Sequence, residues 1–469
     1  MFAKIIYTYF GLMGFIALAV LLYVIGYSFY HLLKKKKVTG LILLIGIIGL
    51  FFISMSYKII VLCAAIVLLV NIAFYVVFTA RTLFKRKRSE ISENYPSVSI
   101  LIPAKNEAKV LEDTLVSLSE QDYPISKFEI IVIDDNSTDQ TYELCKSLRS
   151  ISNLKVIKNK QSLGKARALN EVLKTLNSEY TVILDADHLT DKSFIKKALC
   201  NFKNPKVACM QGKNLIRNGK TNLLCRLIQI EYYSRYEIIY PGKKMALFMG
   251  SGAMFRTICL KEVNGFSEEM LTEDLEVSYK LYENGNIIAF DNTIATYELA
   301  TEDLKNFYKQ RHRWFRGIWQ SFQAHFSRMA LSKSIPIPAR IYFLHIIIEN
   351  ITLSSVLLFS ALFALDYTGV SAFAYKNVLF GKIIIIIIYL SIALIKSKKP
   401  ALLAYVLLMP FYYILYALPN LTAMVDNWII KAEYKWIKTD RSQLNKEVKI
   451  NSAYITEETY TSEPETAKT

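Results

Sequence analysis

Asp185 and Asp187 sit one residue apart at the close of the run YTVILDAD (180–187), and His188 follows them. On an extended strand, residues two apart share a face and lie about 6 to 7 Å from each other. Both carboxylates can then aim at one point, where their mutual repulsion favours a bound cation. Hard oxygen donors of this kind suit Mg2+ or Mn2+ that also coordinates phosphate, although a solvated acid pair or a cap for the helix near Asp191 would use the same residues. His188 fits either a second metal contact or a structural hydrogen bond. VIDDNSTDQT (132–141) repeats the device: Asn136 and Ser137 can cap the next helix, but two adjacent acids, Asp134 and Asp135, exceed what a cap needs. In QSLGKARALN (161–170) Gly164 and Lys165 open a helix, where free N–H groups and a cation suit a phosphate. The spacing is not that of a Walker loop.

Further along, LTEDLEVSYKL (271–281) places Glu273 and Asp274 at the head of a helix, where acids complement the dipole. FMGSGAMFR (248–256), with Gly250 and Ser251 at its centre, is a small-residue turn through which a substrate could approach the backbone. In FYKQRHRWFRGIWQ (307–320) Gln310, Arg313 and Trp314 share one helix face. They offer an amide, a guanidinium fork for phosphate and an aromatic plate for a sugar ring. A basic, aromatic helix lying on a membrane would carry the same residues, and opposite faces could serve both purposes.

These residues need strands to present them. SVSILIPA (97–104), FEIIVIDD (128–135) and YTVILDAD (180–187) are apolar runs, each followed by a turn and a helix-like stretch, with helices expected near Glu107, at 138–148 and at 165–176. Such alternation implies βαβ units in a parallel sheet. Ligands of such sheets sit beyond the carboxyl ends of the strands, where Asn106, Glu107, Asp134, Asp135, Asp185 and Asp187 collect. The whole chain of 469 residues is 53% hydrophobic, with 57 Lys and Arg against 40 Asp and Glu, a net charge of +17. Membrane-crossing stretches of about 20 apolar residues occur only at the ends: 7–33, 41–57 and 59–80, then 341–365, 383–395 and 401–424. The expected division is therefore 1–88 with about three transmembrane helices, a soluble α/β domain at 96–334, two to three transmembrane helices at 335–430, and a polar cytoplasmic tail at 431–469.

The first span is too long for a signal-peptide core and reads as a retained helix. Basic clusters at 34–37 and 81–88 fix the N-terminus outside and the soluble domain in the cytoplasm. That orientation, with attraction to anionic membrane lipids, accounts for the positive charge, so nucleic acid is not expected as a partner. The six cysteines form no CxxC pair and are expected as reduced, ordinary thiols.

Taken in order, these motifs resemble the membrane-integrated, inverting family 2 glycosyltransferases of the cellulose, hyaluronan and poly-N-acetylglucosamine synthase group. The resemblance covers about 96–320. VIDDNSTD matches the family's first aspartate pattern, GKARALN its diphosphate-proximal lysine, DADH its DxD, and Thr272, Glu273 and Asp274 its TED. Gln310, Arg311, His312, Arg313 and Trp314 match its Q(Q/R)xRW signature.

The resemblance implies a GT-A fold, a Rossmann-like nucleotide half followed by an acceptor half from about Lys206, in an integral protein of the cell membrane. It implies a nucleotide-sugar donor, with UDP the expected nucleotide, and Mg2+ or Mn2+. Asp135, Lys165, Asp185, Gln310, Arg313 and Glu107 would hold the donor, and Asp187, with His188, the metal. Asp274 would be the general base, and Trp314, Glu273, Gly250 and Ser251 would face the acceptor. The signature goes with processive members that elongate a polysaccharide and thread it through their own helices. Transfer of one sugar to a polyprenyl phosphate or ceramide, and a transporter that senses nucleotide sugars, are the competing readings. YKWIKTDR (434–441) resembles the stretch that follows the family's last helix on the cytoplasmic side, whereas three full crossings would put it outside. Either 383–395 is not a simple crossing, then, or a neighbouring segment is interfacial.

Overall fold

VSILIPA and FEIIVID are buried on both faces, a pattern that suits only strands covered on both sides. They form the middle of the parallel half of the sheet. The computed structural model describes residues 57–81, 94–239, 246–332, 335–364 and 370–434, with the backbone alone at 57–65, 81, 238–239, 355–364 and 370–378. The expected spans at 7–33 and 41–56, the basic residues at 34–37 and 82–88, and all of the tail after Tyr434 lie outside these residues.

In chain order the elements that matter are helix α1 (Tyr57–Arg81), β1 (Val98–Ala104), α2 (Leu111–Ser119), β2 (Phe128–Asp134), α3 (Thr141–Ser147), β3 (Leu154–Lys158), α4 (Lys165–Thr175), β4 (Tyr180–Ile183), β5 (Leu189–Thr190), α5 (Phe194–Leu199), β6 (Val207–Ile216), α6 (Leu223–Ser234), β7 (Ala253–Arg256), α7 (Thr257–Glu262), α8 (Glu273–Glu283), β8 (Ile287–Glu298), α9 (Leu304–Leu331), α10 (Ile337–Ala364), α11 (Val370–Lys396) and α12 (Met409–Met424). One eight-stranded sheet runs β3-β2-β1-β4-β7-β6-β8-β5. The β3-β2-β1-β4 half is parallel, as expected from its βαβ pattern. Beyond it the sheet is mixed: β7 runs antiparallel to both β4 and β6, and β5 antiparallel to β8.

Helix α4 illustrates why the flanking helices form. Ala168, Leu169, Val172 and Leu173 fall on one side and are buried, while Arg167, Glu171 and Lys174 face out. Two caps fix longer helices: Asn222 accepts from the Cys225 amide at the start of α6 (2.9 Å), and Asp303 from the Asn306 amide at the start of α9 (2.8 Å).

The apolar core under the sheet continues without a break into the flanking helices, from Ile133 and Ile183 through Tyr236 and Trp319 to Tyr75, Tyr389 and Tyr412. Among the described residues, 379–396 and 400–430 are long and apolar enough to cross a membrane. The short apolar stretch 383–395 turns out to be the end of the 27-residue α11. The final segment behaves differently, because both its ends are bonded to the sheet domain. Arg226 of α6 donates to Tyr405 Oη (3.0 Å), and Arg316 of α9 donates to the carbonyls of Ala432 (2.7 Å) and Glu433 (3.2 Å) and stacks over Tyr434. Residues 435–441 of YKWIKTDR lie outside the described residues.

Candidate active site

The loops at the carboxyl ends of β1, β2 and β4 converge on α4, α8 and α9. Asp135, immediately after β2, is buried, and its carboxylate accepts from Asn159 Nδ2 (3.0 Å), Ser162 Oγ (2.7 Å), Leu163 N (2.7 Å) and Gly164 N (3.0 Å). Burial alone would raise its pKa, but these four donors outweigh it and hold the group below the ordinary carboxylate value. A carboxylate offers about four lone-pair sites, so Asp135 is committed to its own protein. What it does is fasten the loop that delivers Lys165.

Lys165 Nζ donates to Asp185 Oδ1 (2.7 Å) and to the Gly250 carbonyl (2.9 Å), and lies 3.5 Å from Glu273. Burial opposes its charge, yet Asp185 and Glu273 together raise its pKa, so the ammonium persists. Asp185 is held in turn by its amide, which donates to Ser251 Oγ (2.8 Å). Gly250 has φ +83°, and a Cβ there would stand 3.2 Å from Asp274 Oδ2. The turn can therefore approach both groups only as glycine.

Asp274 lies in the first turn of α8, with the Leu275 amide donating to its Oδ1 (2.8 Å). Burial, then the neighbouring charge of Glu273, push its pKa up to about 7 against the pull of Lys165, the Leu275 amide and Arg313. A carboxylate tuned to that value can accept a proton near neutral pH and is well matched to general-base work. Gln310, Arg313 and Trp314 come to the same place from one face of α9, as expected. The Arg313 guanidinium reaches the Leu271 carbonyl (3.5 Å) just before α8.

The residues expected to hold the donor, act as base or face the acceptor, Glu107 among them, all line a single cavity of about 390 Å3, and so does His188; Asp187 does not. Asp187 is fully buried, and its Oδ2 accepts from the Leu299 amide (3.2 Å). The strand expected through Asp187 ends at Ile183, and the chain then turns, with the His188 amide donating to the Asp185 carbonyl (3.2 Å). Alternation no longer applies in the turn: Asp185 and His188 line the cavity, whereas Asp187 is buried.

Among the described residues no three His, Cys, Asp or Glu side chains are grouped to hold an ion. Asp187 and His188, next to Asp185 in the same turn, are the oxygen and nitrogen donors that would hold an Mg2+ or Mn2+. His188 Nδ1 is anchored on Thr296 Oγ1 (3.1 Å), and its Nε2 lies 3.8 Å from Glu298.

The family model for glycosyl transferase family 2 matches residues 99–263. The chain carries a family 2 glycosyltransferase domain. It is 29% identical over 272 residues to the poly-β-1,6-N-acetyl-D-glucosamine synthase of Staphylococcus aureus strain COL, covering 57% of this chain and 65% of that one. It is 33% identical over 225 residues to the enzyme of the same name from Staphylococcus epidermidis strain RP62A, covering 47% and 54%. The matches thus span between about half and two thirds of those relatives' length. A mannosyltransferase from Pyrobaculum calidifontis, solved in complex with GDP-Man and Mn2+, shares the fold at a TM-score of 0.57 and 20% identity, over 78% of this chain and 98% of that one.

The site has further side chains that the motifs did not reveal. Glu298 lines the cavity at the end of β8, a strand-end acid like those after β2 and β4. Glu231 of α6 and Arg235, the residue after that helix, also line it, and they pair with each other. Opposite charges four residues apart in a largely apolar stretch were the available signal. Gly317 of α9 packs directly on Thr272, where a Cβ would meet its Cγ2 at 2.4 Å. That contact seats α9 on the turn that carries Asp274.

Proposed function

We propose that this glycosyltransferase is an integral membrane enzyme, working at the cytoplasmic face of the cell membrane. It transfers a sugar with inversion from a UDP-sugar to the end of a growing polysaccharide and passes the product between its own helices. The observation that carries this reading is the course of the cavity. It runs from Lys165 and Asp185, past Asp274 and Trp314, to Tyr75 of α1, His345 and Glu349 of α10, Tyr389 of α11 and Tyr413 of α12. A path lined by tyrosines and polar side chains inside apolar helices suits a sugar chain, whose rings stack on aromatic faces and whose hydroxyls need partners. N-Acetylglucosamine is the first sugar to test, since the two staphylococcal relatives are named for a polymer of it.

Asp274 takes the proton of the acceptor hydroxyl as that oxygen bonds to the anomeric carbon, while the bond from that carbon to the diphosphate breaks. Attack on the face opposite the leaving group inverts the centre. Lys165 and Arg313 stabilise the negative charge that grows on the leaving diphosphate, and Trp314 stacks on the terminal sugar. When bound, a divalent ion held by Asp187 and His188 would supply further neutralisation of the diphosphate. The domain limits proposed are 96–334 for the catalytic part and 335–430 for the C-terminal helices.

The test is the full-length protein with a panel of UDP-sugars and Mg2+ or Mn2+, read as released UDP and as product length. Long polymer from one donor is the expected result. A product confined to a single sugar on a lipid refutes elongation, and donor binding without turnover across the panel refutes catalysis.

A further inference from the structure

Behind the acceptor plate lies a charged cluster that the reaction does not use directly. Arg311 is 1% exposed. Its guanidinium carbon is 4.2 Å from the centre of the Trp314 ring, 5.2 Å from that of Tyr416 and 5.3 Å from that of Phe307. Nε and Nη1 find no hydrogen-bond acceptor in this aromatic box, and Nη2 donates to Glu231 Oε2 at 3.1 Å. Glu231 is thus the carboxylate that permits a cation to lie buried against the indole. The same carboxylate also accepts from Arg235 and from Tyr412 Oη on α12.

Burial would raise the pKa of Glu231, but Arg311 and Arg235 pull it below the ordinary value, so the group stays ionised. Taking away its charge would leave two buried guanidiniums facing one neutral partner. A buried cation that loses its counter-charge moves toward water or leaves its partners unsatisfied, and here its movement would withdraw the back wall of Trp314.

We propose that Glu231 is the positioning residue of the acceptor plate: through Arg311 it fixes the indole of Trp314 against the cavity, and through Tyr412 it ties that plate to the last helix. This rests on the reading of Trp314 as the acceptor platform. Glu231 touches no reacting atom in this role. It sets the plane of a ring that does.

The experiment uses the full-length enzyme with UDP-N-acetylglucosamine and a β-1,6-linked N-acetylglucosamine oligosaccharide. It compares E231Q, W314A, their double mutant, E231D and Y412F. E231Q is expected to raise the acceptor KM about ten-fold or more, the size of a lost charge-assisted contact, and to shorten the product, with little change in donor KM. Because Glu231 acts through Trp314, the double mutant should be no worse than W314A alone. E231D should recover much of the loss, and Y412F should show the same change on a smaller scale.

Acceptor and donor KM worsening together in E231Q, or losses that sum in the double mutant, would overturn the proposal. An unchanged acceptor KM in Y412F would overturn the link to the last helix, and that variant keeps the charge network should E231Q fail to fold. If W314A leaves the acceptor KM unchanged, it is the platform reading that falls, and this shows before Glu231 is altered.

Discussion

Asp274→Asn separates two effects that meet on one carboxylate. In the folded protein its pKa is about 7, raised by burial first and by Glu273 second, whereas a free aspartate titrates near 4. The folded state therefore binds this proton more tightly than the unfolded chain does. Stability contributed by the protonated form is lost as pH rises from about 4 to about 7 and stays lost above that. The linkage amounts to about 1.4 kcal/mol per pH unit across that window, a few kcal/mol at most.

Asparagine is neutral throughout and escapes the loss. The variant should match the wild type most nearly at low pH and exceed it most at pH 8, by about 2 to 4 °C in Tm per kcal/mol for a domain of roughly 150 to 250 residues. Asparagine also accepts no proton, so transfer should fall by about 10^2- to 10^4-fold while donor affinity holds. Thermal unfolding at pH 5 and pH 8, with UDP release from the same preparation, reads both effects. Turnover above a few per cent of wild type, or a Tm difference that fails to grow between the two pH values, would refute the assignment.

Glu273→Gln removes the neighbouring charge that holds the Asp274 pKa up, so the acid limb of the kcat/KM profile, at about pH 7 in the wild type, should move down by about one pH unit. Gly250→Ala puts a methyl 3.2 Å from Asp274 Oδ2 at a φ of +83°. Turnover should fall by about ten-fold or more through displacement of the base, with the far-UV circular dichroism unchanged. Chelation should silence the enzyme and Mg2+ or Mn2+ restore it. In that titration Asp187→Asn and His188→Ala should each need more metal for half-activity. Gly317→Ala drives a methyl into Thr272 at 2.4 Å, an overpacking of about 1–3 kcal/mol. It should cut turnover more than donor binding, and Thr272→Ala should recover part of the loss.

The donor half was legible because it is local. Asp135 and Asp185 each close an apolar run and Lys165 opens a helix, and the rule that ligands gather at strand ends needs only that order. The expected strand through Asp187 was too long for a reason equally local: two-residue alternation holds only while the strand lasts, and β4 stops at Ile183. The acceptor side was harder to read because its partners are distant in sequence. Glu231 meets Arg311 and Tyr412, and Gly317 meets Thr272. No window of neighbouring residues contains those pairs. Hydropathy likewise measured the length of the last apolar segment but not the hydrogen bonds of Arg226 and Arg316 that fasten its ends.

Helix α9 shows why the two halves must work together. On one face Arg313 and Trp314 reach the cavity, and Arg311 turns to Glu231. Three residues after Trp314, Gly317 rests on the turn carrying Glu273 and Asp274. Arg316 holds Asn427 (2.9 Å), Trp319 donates to Asn420 (3.1 Å), and His312 lies 3.1 Å from Asp426, all on the last apolar segment. A single α-helix with its backbone bonds intact moves as a rod over such distances. A shift of the last segment along the product path therefore cannot leave the plate and the base where they were. If the enzyme advances its product after each transfer, as proposed, this links the movement of the chain to the geometry of the next proton transfer. The link runs through packed side chains, with no mobile loop between them.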